Sequence, residues 1–184
     1  MTHSGDNAGA AAGTEIGPAL RAVIDRVTEA IAERGWAVVA VAAEGEHPPF
    51  AYTVGLETGF DHPEIMLVGN FAPRIVQGVL GAAGERVKAG ARFEPGARTS
   101  EVVPHLEVAF DAVRPDAASE HLQVADLVQG GRLERLARAV QLFLPDAAGR
   151  FPWDRGCDAR MARSQTGLGL GPPRRPRGGA IRRA

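Results

Sequence analysis

The amino-acid sequence predicts a single-domain α+β fold: a mixed or antiparallel sheet of about five to seven strands with two or three packed helices. Three observations carry that reading. Apolar residues recur at helical spacing in two long stretches, one after Pro18 and one after Pro73. Short runs rich in β-branched residues fill the space between and after them. The chain has 184 residues, one domain plus tails, and a core of about 150 residues buries enough surface to fold without a disulfide or metal.

Residues 1–16 are small and polar without periodicity and are expected to form a disordered leader. The domain is expected over residues 17–165. Pro18 suits a first helical turn, Leu20, Val23, Ile24, Val27 and Ile31 form one apolar stripe, and Gly35 stands where a left-handed cap belongs. Trp36 to Ala42 reads as a strand, Glu44 to Glu46 as a turn, and Phe50 to Leu56 as the hairpin partner. Alternation places Phe50, Tyr52 and Val54 on one face and Ala51, Thr53 and Gly55 on the other. Glu57 to Asp61 is read as a loop leading into Ile65 to Gly69, an apolar run of the kind found in buried central strands.

A second helix is expected from Pro73 to Gly90. Its Gly78, Gly81 and Gly84 lower its intrinsic stability by about 1 kcal/mol each relative to Ala, or mark close backbone packing. Short strands follow at Arg92 to Glu94, Ser100 to Val103 and Leu106 to Asp111, then a helix from Ser119 through Val128, a further turn or two over Arg132 to Arg138, and a strand at Val140 to Leu144. Periodicity is lost after Phe151 to Asp154 (FPWD), and residues 166–184 read as a disordered basic tail.

Composition narrows the function classes. The net charge is −1, and the last thirteen residues, Pro172 to Ala184, hold five arginines and no acid, so residues 1–171 carry −6. An acidic body argues against specific nucleic-acid binding. Cys157 is the only cysteine, which excludes an internal disulfide and a thiolate cluster. No signal peptide and no apolar run near the ~18 residues of a membrane span are present, so a soluble, cytoplasmic protein is expected, and the Ala, Gly and Arg content suggests a bacterial source.

The order Gly35-Trp36, PPFAYTVGL (Pro48 to Leu56), HPE (His62 to Glu64) before an apolar strand, and QLFLPDAAGRFPWD (Gln141 to Asp154) resembles the bacterial family called domain of unknown function 4262 (DUF4262). The resemblance covers about residues 18–165. It implies a fold neighbourhood and no assigned activity. Members often continue after FPWD to Gln-Pro-Leu-Leu-Gly, whereas Ser164-Gln165 is followed here by Thr166-Gly167-Leu168 and the basic tail.

The pocket candidates are Tyr52, Thr53, His62, Glu64, Trp153 and Asp154. His62 and Glu64 are expected on one face at the sheet rim, as a base with its orienting carboxylate or two metal ligands, or as structural groups around Pro63. Tyr52 and Thr53 are read as ligand contacts or core. FPWD either caps a pocket and aims Asp154 into it or anchors the C-terminal segment. Cys157 would need His105 or His121 as a base, and His47 is read as a solvated loop residue. No residue is assigned as catalytic, and no metal, cofactor or oligomeric state is assigned. Three functions follow: a small-ligand-binding domain or small enzyme; a non-catalytic protein-interaction or regulatory module; and, ranked last, a flavin-binding protein, since the helix–hairpin–strand order loosely resembles flavin-binding split barrels, which also raises a partly closed barrel as an alternative fold.

Overall fold

The computed structural model describes residues 16–45, 47–130 and 137–169 in full and residues 182–183 by backbone alone. Helix α1 (Pro18–Arg34) ends at Gly35, whose φ of 97° places it in the left-handed region and lets its N–H reach the Ile31 carbonyl. Strands β1 (Ala37–Val41) and β2 (Phe50–Val54) form the expected antiparallel hairpin, paired from Ala37 with Val54 to Val41 with Phe50. Helix α2 (Leu56–Phe60) precedes β3 (Glu64–Val68) and α3 (Pro73–Lys88). Then come β4 (Ala91–Arg92), β5 (Arg98–Val103), β6 (Leu106–Ala112), α4 (Pro115–His121), α5 (Gln123–Gln129), β7 (Ala139–Phe143) and α6 (Ala159–Ser164).

Six strands form one open mixed sheet in the order β1-β2-β3-β7-β6-β5, so the partly closed barrel is not the architecture. Only β3 and β7 run parallel, and they sit side by side at the centre. Every residue of both is buried, which is why each reads as a near-continuous apolar run instead of an alternating one.

The alternation of β2 and β3 divides two cores. Ala51, Ile65 and Leu67 face α3, meeting Val79, Leu80, Ala83 and Val87. Tyr52, Val54, Met66 and Val68 face the opposite side, under Val27 of α1, Ala118 of α4 and Val124 and Ala125 of α5. Of the three α3 glycines, Gly84 alone marks close packing: a Cβ there would lie 2.5 Å from the Trp36 ring, whereas nothing lies within 4 Å of one at Gly78 or Gly81.

The sheet size and both long helices match expectation, but short helices were missed. Glu57 to Phe60 is helix, not loop; the helix expected from Ser119 starts at Pro115 and is two segments; and Ala159 to Ser164 is helical where no periodicity was read. The chain stays docked as far as Leu168: Gln165 exchanges hydrogen bonds with the Leu144 backbone, and Gln141 holds the Thr166 carbonyl and Leu168 N–H. The expected leader, the turn over Arg132 to Arg138 and the basic tail fall largely outside the described residues. Among the described residues no helix is long and apolar enough to cross a membrane.

Candidate functional site

The two ends of β2 carry different chemistry. At its C-terminal end, Gly55 adopts φ 106° and turns the chain straight into α2, so the first amides of that helix point back at the strand beside it. Glu64, the first residue of β3 and wholly buried, receives them. Its carboxylate accepts from Gly55 N–H at 2.9 Å, Leu56 N–H and Glu57 N–H at 3.3 Å each, Thr53 Oγ1 at 2.7 Å and Gln129 Nε2 at 2.9 Å. Thr53 is itself fixed, because its hydroxyl accepts the Ile65 N–H at 2.8 Å. Burial pushes the Glu64 carboxyl up to about 7, against the pull of those donors toward the ionised form.

Around this knot lies a second one. Glu57, also buried, takes the Arg138 N–H at 2.8 Å and its guanidinium Nε, tying α2 to the start of β7. Tyr52 is buried on the other side, its phenol pushed up to about 12 by burial, against a hydrogen bond with the Val124 backbone.

Alternation predicts His62 and Glu64 on one face, but β3 starts only at Glu64, and the His62 ring packs against Phe93 while Glu64 is met by Thr53, the α2 amides and Gln129. The His62 Nε2 accepts the Phe93 N–H at 2.9 Å, so the proton sits on Nδ1, which donates to the Pro63 carbonyl at 2.6 Å. The ring meets Phe93 edge-on, and burial holds its pKa below the ordinary histidine value. Both ring nitrogens are spent on backbone.

Trp153 and Asp154 lie in a separate cluster. Trp153 stacks on Phe151 and meets Phe143 edge-on, each at 5.1 Å between centroids, while Asp154 closes its own turn by accepting the Phe151 N–H at 2.9 Å. FPWD thus anchors the C-terminal segment over β6 and β7. Nearby, Asp146 accepts from the Ala148, Arg150 and Asp158 amides and the Arg150 guanidinium, which together hold its pKa down to about 2. The Cys157 thiol faces the Arg150 and Asp158 carbonyls, and burial raises its pKa, which disfavours the thiolate a nucleophile needs.

The opposite end of β2 is open. A cleft of about 660 Å³ lies between the β1–β2 hairpin and the α4–α5 pair. Val41, Phe50, Tyr52 and Val124 form its apolar floor. Its rim is Glu44 and His47 from the hairpin with Glu120, His121 and Gln123 from α4 and α5. Phe50 holds the floor in place, edge-on to His121 at 4.8 Å and stacked on Tyr52 at 6.1 Å. Of the six pocket candidates named from sequence, only Tyr52 lines it. The rim residues were missed because hairpin and helices are far apart in the chain; the one signal available was His47 beside an acidic turn. No group of three or more metal-ligating side chains occurs among the described residues.

A sealed polar knot and an open cleft at the two ends of one strand, on a sheet covered by helices on both faces, define a single-domain α+β protein. A family model, domain of unknown function (DUF4262), matches residues 30–158. The chain belongs to the DUF4262 family. Neither the curated proteins nor the solved structures contain a match.

Proposed function

We propose that this protein binds a small organic molecule in the cleft between the β1–β2 hairpin and α4–α5. One observation carries the reading: a concavity of about 660 Å³ with an aromatic floor and a polar rim, inside the ~300–1,000 Å³ range of small-molecule sites. The other sequence candidates support a structural role instead. Thr53, His62 and Glu64 are buried and hydrogen-bonded, and Trp153 and Asp154 hold down the C-terminal segment. The large apolar side chains exposed among the described residues are Leu20, Ile75 and Leu127, one each on α1, α3 and α5, which does not favour a broad apolar docking patch.

The test is a panel of one- and two-ring aromatic fragments titrated into the full chain and followed by amide NMR. Shifts should cluster at residues 41–50 and 120–124. The variant Gln123→Trp places an indole at the exposed mouth of the cleft and should abolish them. A panel that leaves those amides unmoved, or moves them equally in the variant, defeats the proposal.

A further inference from the structure

The polar side chains around the cleft are lopsided. Glu44 and Glu120, one from each wall, bring two negative charges, and among the described residues no lysine or arginine lines the cleft. Neither carboxylate has a hydrogen-bond or ion-pair partner among the described residues. His121 Nδ1 is bonded to the Ala117 carbonyl at 2.8 Å, so in the neutral ring Nε2 is an acceptor. Gln123 Nε2 is engaged with the Glu120 carbonyl at 3.3 Å, leaving its Oε1 to accept. His47 contributes the one rim side chain with an uncommitted ring N–H. Apart from the His47 ring N–H and the second amide proton of Gln123, the described polar side chains of the wall accept, so a ligand that brings protons suits it better than one that brings lone pairs.

The floor points the same way. Phe50 is half-buried and lines the same cleft as these carboxylates, and an aromatic face attracts a cation within about 6 Å of its centroid. An anion would meet two unpaired carboxylates and, among the described residues, no lysine or arginine to compensate them. The acidic body, −6 over residues 1–171, adds a field that concentrates cations at the surface.

Resting on the ligand-binding reading above, we infer that the cleft takes an organic cation: an ammonium group, primary or alkylated, on an apolar body of about one or two rings. The ammonium sits between Glu44 and Glu120, and the apolar body lies on Phe50, Tyr52 and Val124. Recognition is by charge and shape, with no covalent step.

Three probes of one shape test it: phenethylamine, 2-phenylethanol and phenylacetate, each titrated into the full chain at pH 7.5 and followed by amide NMR. The amine should bind at least about tenfold more tightly than the alcohol, the size expected for a charge between two partly solvated carboxylates. The acetate should not bind. In the double variant Glu44→Gln, Glu120→Gln the amine should fall to the level of the alcohol, while the alcohol keeps its affinity. Raising the salt should weaken the amine alone. If amine and alcohol bind the cleft equally, or the acetate binds best, the cation assignment is overturned while the cleft remains a binding site. If no probe moves the cleft amides, both readings fall together.

Discussion

Glu64 and Glu120 are both glutamates within reach of β2, and they have opposite fates. Glu64 is wholly buried and met by five donors; Glu120 is exposed on the rim of a cleft with none among the described residues. A carboxylate whose oxygens are filled by the protein's own amides is a fastener, since a substrate would first have to displace them. A carboxylate left unfilled beside an aromatic floor has its capacity available for something else. The difference teaches where to look in this fold: Glu64 marks what holds the chain together, and the cleft is marked by carboxylates whose partners are missing among the described residues.

Substitutions can break that comparison. The largest effect is expected for Glu64→Ala, which leaves the Gly55, Leu56 and Glu57 amides and Gln129 facing a void; with several buried donors unpaired, the loss should be about 3–5 kcal/mol of unfolding free energy by chemical denaturation. A loss below about 1 kcal/mol would mean that the knot is dispensable. Next comes Thr53→Val, nearly the same shape without the hydroxyl, which strands the Ile65 N–H and removes one donor from Glu64; about 2 kcal/mol is expected. Gly84→Ala pushes a methyl into the Trp36 ring and should cost about 1–3 kcal/mol, visible also as a changed near-UV signal from the indole. Glu120→Gln should alter stability by no more than about 0.5 kcal/mol, and a large loss there would erase the distinction drawn between the two glutamates.

The pH dependence sharpens it further. Glu64 has its pKa raised from 4.5 to about 7 in the folded chain. Its contribution is therefore full below 4.5 and is lost as pH rises through 7, at up to about 1.4 kcal/mol per pH unit. His62 has the opposite sign: its depressed pKa makes the neutral ring the folded form, so its contribution is present above 6.5 and is lost as pH falls below it. Unfolding measured from pH 4 to 8 in the parent and in Glu64→Gln separates them. The stability difference between the two should shrink as pH rises through the window from 4.5 to 7; a difference that grows would show that Glu64 folds as the anion throughout. Asp146 supplies a control at acid pH. Its pKa is depressed from 3.8 to about 2, so its contribution is present above 3.8 and is lost on descending to about 2, a decline that Asp146→Asn should remove.

The frame of the fold was legible in the sequence because its long elements are periodic. The stripe from Leu20 to Ile31, the alternation of Phe50 to Val54 and the apolar run after Pro63 each state one burial geometry. Helix α2 was hidden because five residues complete barely more than one turn and leave no period to detect. Two other helices did carry signals: Pro115 at a first turn with Asp116 behind it, and Asp158, whose side chain caps α6 by accepting from the Arg160 and Met161 amides. The site was harder. That His62 and Glu64 part company depends on where the Phe93 amide and the α2 amides lie, and the cleft exists only because the chain returns after β6 to lay α4 and α5 over the hairpin. Neither fact is local to any stretch of residues.

The pairing of β3 with β7 also bears on when the molecule can become itself. Glu64 aligns with Ala139, and the bonds that close the knot reach Gln129 and Arg138. During synthesis the hairpin, β3 and α3 are complete long before those residues leave the ribosome, so the inner edge of β3 waits with its amides unpaired and Met66 and Val68 without the cover of α4 and α5. Contacts so distant in sequence make for slow closure, and an apolar strand edge waiting in the open is where nascent chains pair with the wrong partner. The most buried strand of the finished protein is thus its most exposed hazard while it is being made.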